Sequence, residues 1–170
     1  MAFVPINGPV VGATVYDENG NLVARDVSFT LPEVTPTTTD LSAMGTFSAP
    51  NWQLLENMET TVTKIGLDSG LSSLIRPNMK PLEFRWVQTQ TDANGAIRNV
   101  GCKAFIRGIP NKIPGIGVTV GEAIEAEITL ATSRYILYVD GEEVIYIDRF
   151  AAGKLKIYGV DFSAPINSML

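Results

Sequence analysis

Histidine is absent from this chain of 170 residues, and cysteine occurs once. Without histidine there can be no Ser-His-Asp or Cys-His arrangement, no His-containing zinc site, and no general base of the kind most common near neutral pH. The single cysteine, Cys102, cannot form an internal disulfide. Because Val100, Ala104 and Ile106 alternate with it, we expect its thiol to be buried. We therefore expect no catalytic group, no cofactor and no metal, and we do not expect an enzyme.

Long apolar runs and an excess of basic charge are also missing. No run approaches the roughly 18 to 20 apolar residues that span a bilayer. The amino terminus lacks the basic start and apolar stretch of a secretory signal, so we expect synthesis in the cytoplasm. The net charge of −5 argues against a protein that binds nucleic acid by neutralising phosphates. A surface past which DNA slides remains compatible with that charge.

Three short motifs resemble functional sites, and each has a simpler structural interpretation. The Gly-Ile-Gly at residues 115–117 precedes a predicted strand and does not open a helix, so we interpret it as a loop and not as a dinucleotide fingerprint. Glu122 points away from Glu125 and Glu127 on a strand, which favours a solvated face over a calcium site. The acidic segment 17–21 has no following glutamate at the calcium-loop spacing, so it predicts a turn.

Hydrophobic residues alternate with polar ones along most of the chain, which is typical of β-strands. The alternation predicts strands at residues 13–16, 22–29, 52–62, 82–91, 97–107, 122–130, 135–139 and 144–147. Turn residues at 17–20, 91–95 and Asp140-Gly141 predict three hairpins, the last being the strongest signal. One helix of about two turns is expected between Asp68 and Arg76, before Pro77, and a short final helix is possible after Asp161. The fold class is therefore mainly β, an antiparallel sandwich or partial barrel with one short helix, in a single domain over residues 1–170.

Two segments follow neither the strand nor the helix pattern. Residues 31–51 are rich in Thr, Ser and Pro, and residues 108–121 are rich in Gly and Pro. A connection this long in a compact domain is usually a lid, a binding arm or a disordered segment. We predict extended loops at both places.

The carboxy-terminal half contains YILYVDGEEVIYID at residues 135–148, Gly159-Val160-Asp161, and Arg107-Gly108 before a Gly-rich loop and an acidic strand. In these motifs it resembles the major tail tube protein family of contractile-tailed phages. Upstream, SFTLP at 28–32 and GTFSAP at 45–50 are similar to two further landmarks of the family, in the same order and with similar spacing. The carboxy-terminal residues 165–170 depart from the family because they lack its basic residues.

The resemblance implies a structural protein that forms stacked hexameric rings. The wall of the resulting hollow tube would be a continuous inner β-barrel built from several strands of each subunit, and DNA or ions would pass through it during ejection. Implied partners are further copies of the chain, the tail sheath, the baseplate and the tail terminator, with no small-molecule substrate and no specific DNA binding. The implied location is the tail of a virion or of a tail-like bacteriocin particle, assembled in the bacterial cytoplasm.

The strand period, combined with this resemblance, predicts which residues face the bore and which contact the next ring. If Ile124, Ala126, Ile128 and Leu130 pack inward, the opposite residues face the lumen or a neighbouring subunit. The predicted lumen-facing residues are Glu59, Thr61, Thr63, Glu125, Glu127 and Thr129. The predicted arm between rings contains Glu33, Thr35, Thr37, Thr38, Thr39, Asp40, Met44 and Phe47. We expect a negative lumen, with Arg85, Lys103 and Arg107 offsetting part of that charge through cross-strand pairs.

Other interpretations stay open at this point. A tube protein of another contractile injection system, or a baseplate component, would share much of the pattern. A monomeric ligand-binding β-barrel would also show alternating strands, but it would be a closed monomer with an apolar cavity.

Overall fold

The computed structural model describes residues 4–151 and 153–170, and within them the chain is built mainly from β-strands. The strands are β1 (Ile6–Tyr16), β2 (Leu22–Arg25), β3 (Ser28–Thr30), β4 (Pro36–Ser42), β5 (Thr46–Leu55), β6 (Glu59–Ile65), β7 (Lys80–Thr91), β8 (Ile97–Pro110), β9 (Glu125–Val139), β10 (Glu142–Asp148), β11 (Lys154–Ile157) and β12 (Val160–Asp161). The helices are α1 (Ser69–Ile75) and α2 (Ala164–Asn167), so the short final helix after Asp161 is present beside the predicted one.

Ten of these strands form one antiparallel sheet that bends back on itself. Its main path runs β12-β11-β10-β9-β8-β7-β1-β2, and β3 and β6 join it through β9. The path is open at both ends, so the described part of the subunit does not form a closed barrel. The predicted antiparallel, mainly β fold is confirmed.

The predicted hairpins at residues 91–95 and 140–141 are confirmed. Strands β7 and β8 pair from Lys80 opposite Gly108 to Thr91 opposite Ile97. Between β9 and β10, Asp140 has φ 51° and Gly141 has φ 84°. A two-residue turn with positive φ at both positions matches the twist of the flanking strands, which explains the Asp-Gly sequence.

Strand β9 is the longest, at 15 residues, and its two halves pair with different strands. Its first half pairs with β6 and its second half with β10, while β8 runs along its other edge. The register with β8 shifts between Arg107 and Gly108, which is a β-bulge. Before the bulge Ala126, Ile128 and Leu130 point into the core, and after it Tyr135 does, so the inward parity changes from even to odd.

The core lies between the two layers that the bent sheet creates. Phe84, Met58 and Val62 are fully buried, and the ring of Phe29 packs edge-on against Phe84 at a centroid distance of 5.0 Å. Cys102 is buried, as predicted, and burial raises the pKa of its thiol. Apolar packing against β7 and β8 therefore ties β3 and β6 to the rest of the fold.

Helix α1 is fixed at its start by Asp68. The Asp68 side chain accepts hydrogen bonds from the backbone N–H groups of Gly70 and Leu71, at 2.8 and 3.2 Å. It also accepts a bond from Lys64, whose Nζ lies 3.0 Å from Oδ2, and this bond lowers the pKa of the carboxyl group. Lys64 is buried and donates to the Val23 carbonyl as well, so its side chain is directed away from the exposed surface of β6.

Two predicted strands are each interrupted in the structure. The segment predicted as one strand at residues 52–62 ends as β5 at Leu55 and resumes as β6 at Glu59. Between them, Arg149 donates hydrogen bonds to the carbonyls of Leu55 and Glu56, and the Met58 carbonyl accepts from Thr132 N, so the chain changes partners there. The segment predicted at 22–29 is divided into β2 and β3 by Asp26, which has φ 51°.

The predicted extended loop at residues 31–51 contains a β-hairpin, which corrects that expectation. Strands β4 and β5 pair from Ser42 opposite Thr46 to Pro36 opposite Leu55, as a separate two-stranded sheet. Its Thr-rich sequence fits a ribbon that is exposed on both faces. In the second predicted loop, β8 continues to Pro110 and no strand or helix is assigned between Asn111 and Ile124.

Candidate functional site

The first exposed surface is the outer side of the paired strands β6 and β9, which we call the acidic face. Register places Thr61 opposite Thr129 and Thr63 opposite Glu127, so side chains of both strands share one side. The acidic face consists of Glu59, Thr61, Thr63, Glu125, Glu127 and Thr129, which are the six residues that the sequence predicts to face the bore. The glutamates are exposed and the threonines are half-buried.

The acidic face carries no basic side chain among the described residues. Lys64, the only basic residue of β6, is buried on the opposite side. Glu59 accepts weak hydrogen bonds from the side-chain amides of Asn57 and Asn111, both at 3.4 Å. Strand β3 extends the same surface with Ser28, which lies opposite Thr63. The result is a polar, negatively charged surface.

The second exposed surface is the outer side of β7, β8 and the second half of β9, which we call the basic face. It carries Arg85, Lys103, Arg107 and Arg134, together with the exposed or partly exposed rings of Phe105 and Tyr138. Phe105 and Tyr138 contact each other edge-to-face at a centroid distance of 5.9 Å. The one carboxylate on these strands is Glu83, which binds Arg85 through two hydrogen bonds of 2.6 and 2.9 Å.

The expectation that Arg85, Lys103 and Arg107 offset the acidic strand charges is wrong. The register places Lys103 opposite Arg85 and Tyr138, and Arg107 opposite Pro81 and Arg134, so these cations do not neighbour Glu125 or Glu127 across a strand pair. Arg85 pairs instead with Glu83, two residues away on its own strand. Alternation within a strand assigns each residue to a side of that strand, but it does not show which sides of distant strands adjoin.

The third surface is the hairpin of β4 and β5, which we call the arm. Its tip exposes Leu41, Met44 and Phe47, and the Met44 side chain is fully exposed. Met44 has φ 52° and Gly45 has φ 123°, so the tip is a tight turn. The remaining predicted arm residues are Glu33, Thr35, Thr37, Thr38, Thr39 and Asp40, of which Thr35 and Thr37 are half-buried and the others exposed.

Hydrogen bonds and one ring contact hold the base of the arm. The Thr37 hydroxyl donates to the Leu54 carbonyl at 3.2 Å, and Glu56 N donates to the Thr35 carbonyl at 2.8 Å. The Trp52 ring lies 6.3 Å from the Phe162 ring. Farther out, Asp40 accepts a hydrogen bond from the Ser48 hydroxyl across the two strands. The base is therefore attached to the domain, while the tip projects its apolar side chains into solvent.

The described residues offer little chemistry beyond these surfaces. No group of three or more His, Cys, Asp or Glu side chains within residues 4–151 and 153–170 is arranged to hold a metal ion. In the same part of the chain, no helix has the length and apolar composition needed to cross a membrane. Asp17, which the sequence places in a turn, accepts hydrogen bonds from Asn19 and Asn21, and these bonds lower the pKa of its carboxyl group.

Comparison with solved structures identifies a protein of similar fold. A solved structure similar to it belongs to an extracellular contractile injection system, the PVC sheath–tube complex in its extended state. The match has a TM-score of 0.50 and 17% sequence identity, and it covers 77% of this chain and 90% of the other. At that identity the match establishes a shared fold. None of the curated proteins matches the chain.

The family assignment comes from the sequence as a whole. The model of the family described as phage tail tube protein FII matches residues 10–170, which is nearly the entire chain. This match covers more than half of the chain and therefore establishes the family. The chain belongs to the phage tail tube protein FII family and is a structural protein of the tail tube, located in the tail of a virion or of a tail-like particle.

Proposed function

We propose that the protein assembles into hexameric rings, and that the rings stack into a hollow tube whose bore is lined by the acidic face. The observation that carries this proposal is that six residues, drawn from two strands far apart in sequence, share one exposed surface without a basic side chain. A wall of this composition suits a conduit, because it repels a passing phosphate backbone and does not trap it.

The part of the sheet that carries the acidic face ends in an open strand edge on each side. Among the described residues, strand β3 pairs only with β6, so its other edge has no strand partner. Strand β8 pairs with β9 only as far as Leu130, and Asn111 N donates to the Thr129 carbonyl beyond it. The edge of β9 from Glu125 to Ile128 therefore lacks a strand partner among the described residues. Open edges pair readily with further strands, and closure around a ring would satisfy them.

The arm supports contact between successive rings. Its paired strand β4 contains seven residues, which span roughly 23 Å at about 3.3 Å per residue. Exposed large apolar side chains at the end of a projecting hairpin are costly in water, and burial against a neighbour would recover that free energy. We infer that the tip, with Met44 and Phe47, inserts against the adjacent ring.

The proposed tube of stacked rings implies several binding partners for the protein. Further copies of the chain form the tube, a sheath surrounds it, and a baseplate and a tail terminator close its ends. DNA or ions would pass without specific binding, and the protein would perform no catalysis. The alternative of a monomeric ligand-binding barrel has no support, because the sheet follows an open path and does not close within residues 4–151 and 153–170.

Electron microscopy and charge reversal together test this proposal. The purified protein at high concentration should form rings or hollow filaments with six-fold symmetry. The variant Glu125→Lys/Glu127→Lys should still form tubes, because bore residues are not required for subunit contacts, but it should retain short double-stranded DNA that wild-type tubes exclude. Loss of tubes in this variant alone would place the acidic face at a subunit interface, and a strictly monomeric wild-type protein would contradict ring assembly.

A further inference from the structure

The dipeptide Asn-Gly occurs three times in the chain, at Asn7, Asn19 and Asn94. Because glycine has no Cβ, its backbone nitrogen can approach the side chain of the preceding asparagine and attack the amide carbon, and the asparagine then loses ammonia. The attacking nitrogen must first leave any hydrogen bond, so the reaction needs a backbone that opens locally. The fold therefore decides which of the three sites reacts.

Asn19 and Asn94 lie in two turns of the same construction. Each turn has the pattern Asp-x-Asn-Gly, and its glycine has a positive φ, 76° at Gly20 and 79° at Gly95. In each turn the glycine N–H donates to the carbonyl of the aspartate at 3.1 Å. The aspartate carboxylate in turn accepts from the asparagine N–H, at 2.9 Å in the first turn and 2.8 Å in the second. Deamidation at either site consequently requires the turn to open.

The first turn is held closed by the core. Asp17 is half-buried, and the buried residues Val15 and Val23 lie on the strands that enter and leave the turn. The side-chain amide of Asn21 also donates to the Asp17 carboxylate at 3.1 Å. Opening this turn disturbs packed residues, so it costs more free energy than the fraying of an exposed segment.

The second turn lies at the outer end of the hairpin of β7 and β8. Every residue from 92 to 99 is exposed, and the buried residues nearest to this stretch along the chain are Phe84 and Val100. Ala96 occupies the position that Asn21 has in the first turn, and alanine has no side-chain amide to donate to Asp92. This end of the hairpin can therefore open while the core stays closed.

Asn7 is held by strand pairing and by close packing. It lies opposite Gln90 between β1 and β7, and its Oδ1 accepts a hydrogen bond from Gln90 Nε2 at 2.9 Å. A Cβ atom added to Gly8 would lie 2.1 Å from Thr89 Oγ1, so the backbone of Gly8 packs directly against β7. The Gly8 nitrogen cannot turn toward the Asn7 side chain unless the two strands separate.

We propose that Asn94 is the site at which this protein deamidates, and that the fold protects Asn19 and Asn7. The Gly95 nitrogen bonds to Cγ of Asn94, the Cγ–Nδ2 bond breaks, and the proton of the Gly95 amide leaves with the side-chain nitrogen as ammonia. Water then opens the resulting cyclic imide at either of its carbonyl carbons. The product is aspartate or isoaspartate, and the net reaction consumes water and releases ammonia.

The modification changes the turn in which it occurs. It places a new carboxylate beside Asp92, whose own carboxylate accepts hydrogen bonds from the N–H groups of Asn94 and Ala96 at 2.8 and 2.9 Å. The two negative charges repel each other, and isoaspartate also lengthens the backbone within the turn. The turn then closes less well, while the buried residues of β7 and β8 are unaffected. The inference concerns the single subunit and does not depend on the proposed assembly.

Incubation of the purified protein at mildly alkaline pH, followed by peptide mapping with mass spectrometry, tests the proposal. We expect the folded protein to deamidate about ten-fold faster at Asn94 than at Asn19, and more slowly still at Asn7. In concentrated urea the three rates should become similar, because all three sites share the Asn-Gly sequence. Equal rates at Asn94 and Asn19 in the folded protein would overturn the proposal, and so would an unchanged preference for Asn94 in urea.

Matched variants identify the residue and the cause of its reactivity. Asn94→Ser should abolish the acidic species that ion-exchange chromatography detects after incubation, whereas the control Asn19→Ser should leave it unchanged. Ala96→Asn gives the second turn the side-chain amide of the first, so it should slow the reaction at Asn94. Asn21→Ala makes the reverse change and should accelerate the reaction at Asn19. Persistence of the acidic species in Asn94→Ser would overturn the proposal.

Discussion

Tyr135 is a single residue whose ionisation reports on the packing of the core. Its side chain points inward from β9, and burial raises the pKa of the hydroxyl group to about 12. A tyrosine in an unfolded chain ionises near pH 10, so the unfolded state gives up its proton first as the pH rises. The contribution of Tyr135 to the free energy of unfolding is therefore fully present below pH 10 and is lost between about pH 10 and 12.

Alkaline unfolding should show this loss. A shift of two pKa units corresponds to at most about 2.7 kcal/mol. We expect the free energy of unfolding, measured with urea at pH 8 and at pH 11, to fall more for the wild type than for Tyr135→Phe, which cannot ionise. Equal pH dependence of the two proteins would show that the hydroxyl is accessible to solvent in the folded state.

A second residue-scale prediction concerns a buried pair of hydroxyl groups. Thr60 and Thr132 are buried, and their Oγ1 atoms are 2.7 Å apart. Thr60→Val removes one partner and leaves the Thr132 hydroxyl with only a long bond, 3.3 Å, to the Leu130 carbonyl. We expect a loss of about 1 to 2 kcal/mol in the free energy of unfolding, because a buried polar group becomes poorly satisfied.

Two comparisons isolate that effect. Replacing both residues, as Thr60→Val/Thr132→Val, should recover part of the loss, because no unpaired hydroxyl remains. Thr61→Val, at the neighbouring half-buried position on the acidic face, should change stability by less than about 0.5 kcal/mol. If Thr60→Val and Thr61→Val lowered the free energy of unfolding by the same small amount, the buried hydroxyl pair would not contribute to stability.

At the scale of an element, the arm is the segment whose environment should change on assembly. Its tip exposes Leu41, Met44 and Phe47, while its base is hydrogen-bonded to the domain. We expect limited proteolysis to cleave the arm near the tip in free subunits and to spare it in tubes, because insertion against the next ring would bury it. Equal cleavage in both states would contradict the inter-ring role.

Changing the tip gives an independent measurement of the same contact. Met44→Ser/Phe47→Ser removes apolar area that the free subunit leaves in solvent, so the thermal unfolding temperature of the monomer should change little. Stacking of rings should nevertheless be lost, because the burial that would drive it is gone. Filaments of normal length formed by this variant would show that the tip does not hold the rings together.

For the whole molecule, the positions of the charged side chains on the surface are more informative about function than the net charge is. The net charge of −5 describes an acidic protein, yet the glutamates of β6 and β9 and the cations of β7 and β8 lie on separate parts of the outer surface of the sheet. In the proposed tube, a wall one subunit thick would therefore present the acidic face to the bore and the basic face to its surroundings.

Several elements of the fold were predictable from short-range sequence patterns. The Asp140-Gly141 turn, the hairpin of β7 and β8, and the Asp68 cap of α1 are confirmed, because each depends on backbone preferences within a few residues. The arm hairpin was missed, since its Thr-rich strands lack the apolar alternation that marks a half-buried strand. The break between β5 and β6 was missed too, because it depends on Arg149, nearly a hundred residues away.

The sequence by itself determined the class of the fold, the absence of histidine chemistry and, through the order and spacing of its motifs, the family. It also assigned Glu125 and Glu127 to the side of β9 opposite its buried residues, because the period of a strand is two. Only the tertiary structure decided that β6 lies beside β9, so that Glu59 joins those glutamates, and that Arg107 faces Arg134 on the other surface. Pairing between distant strands depends on the global packing of the core, and local alternation carries no information about it.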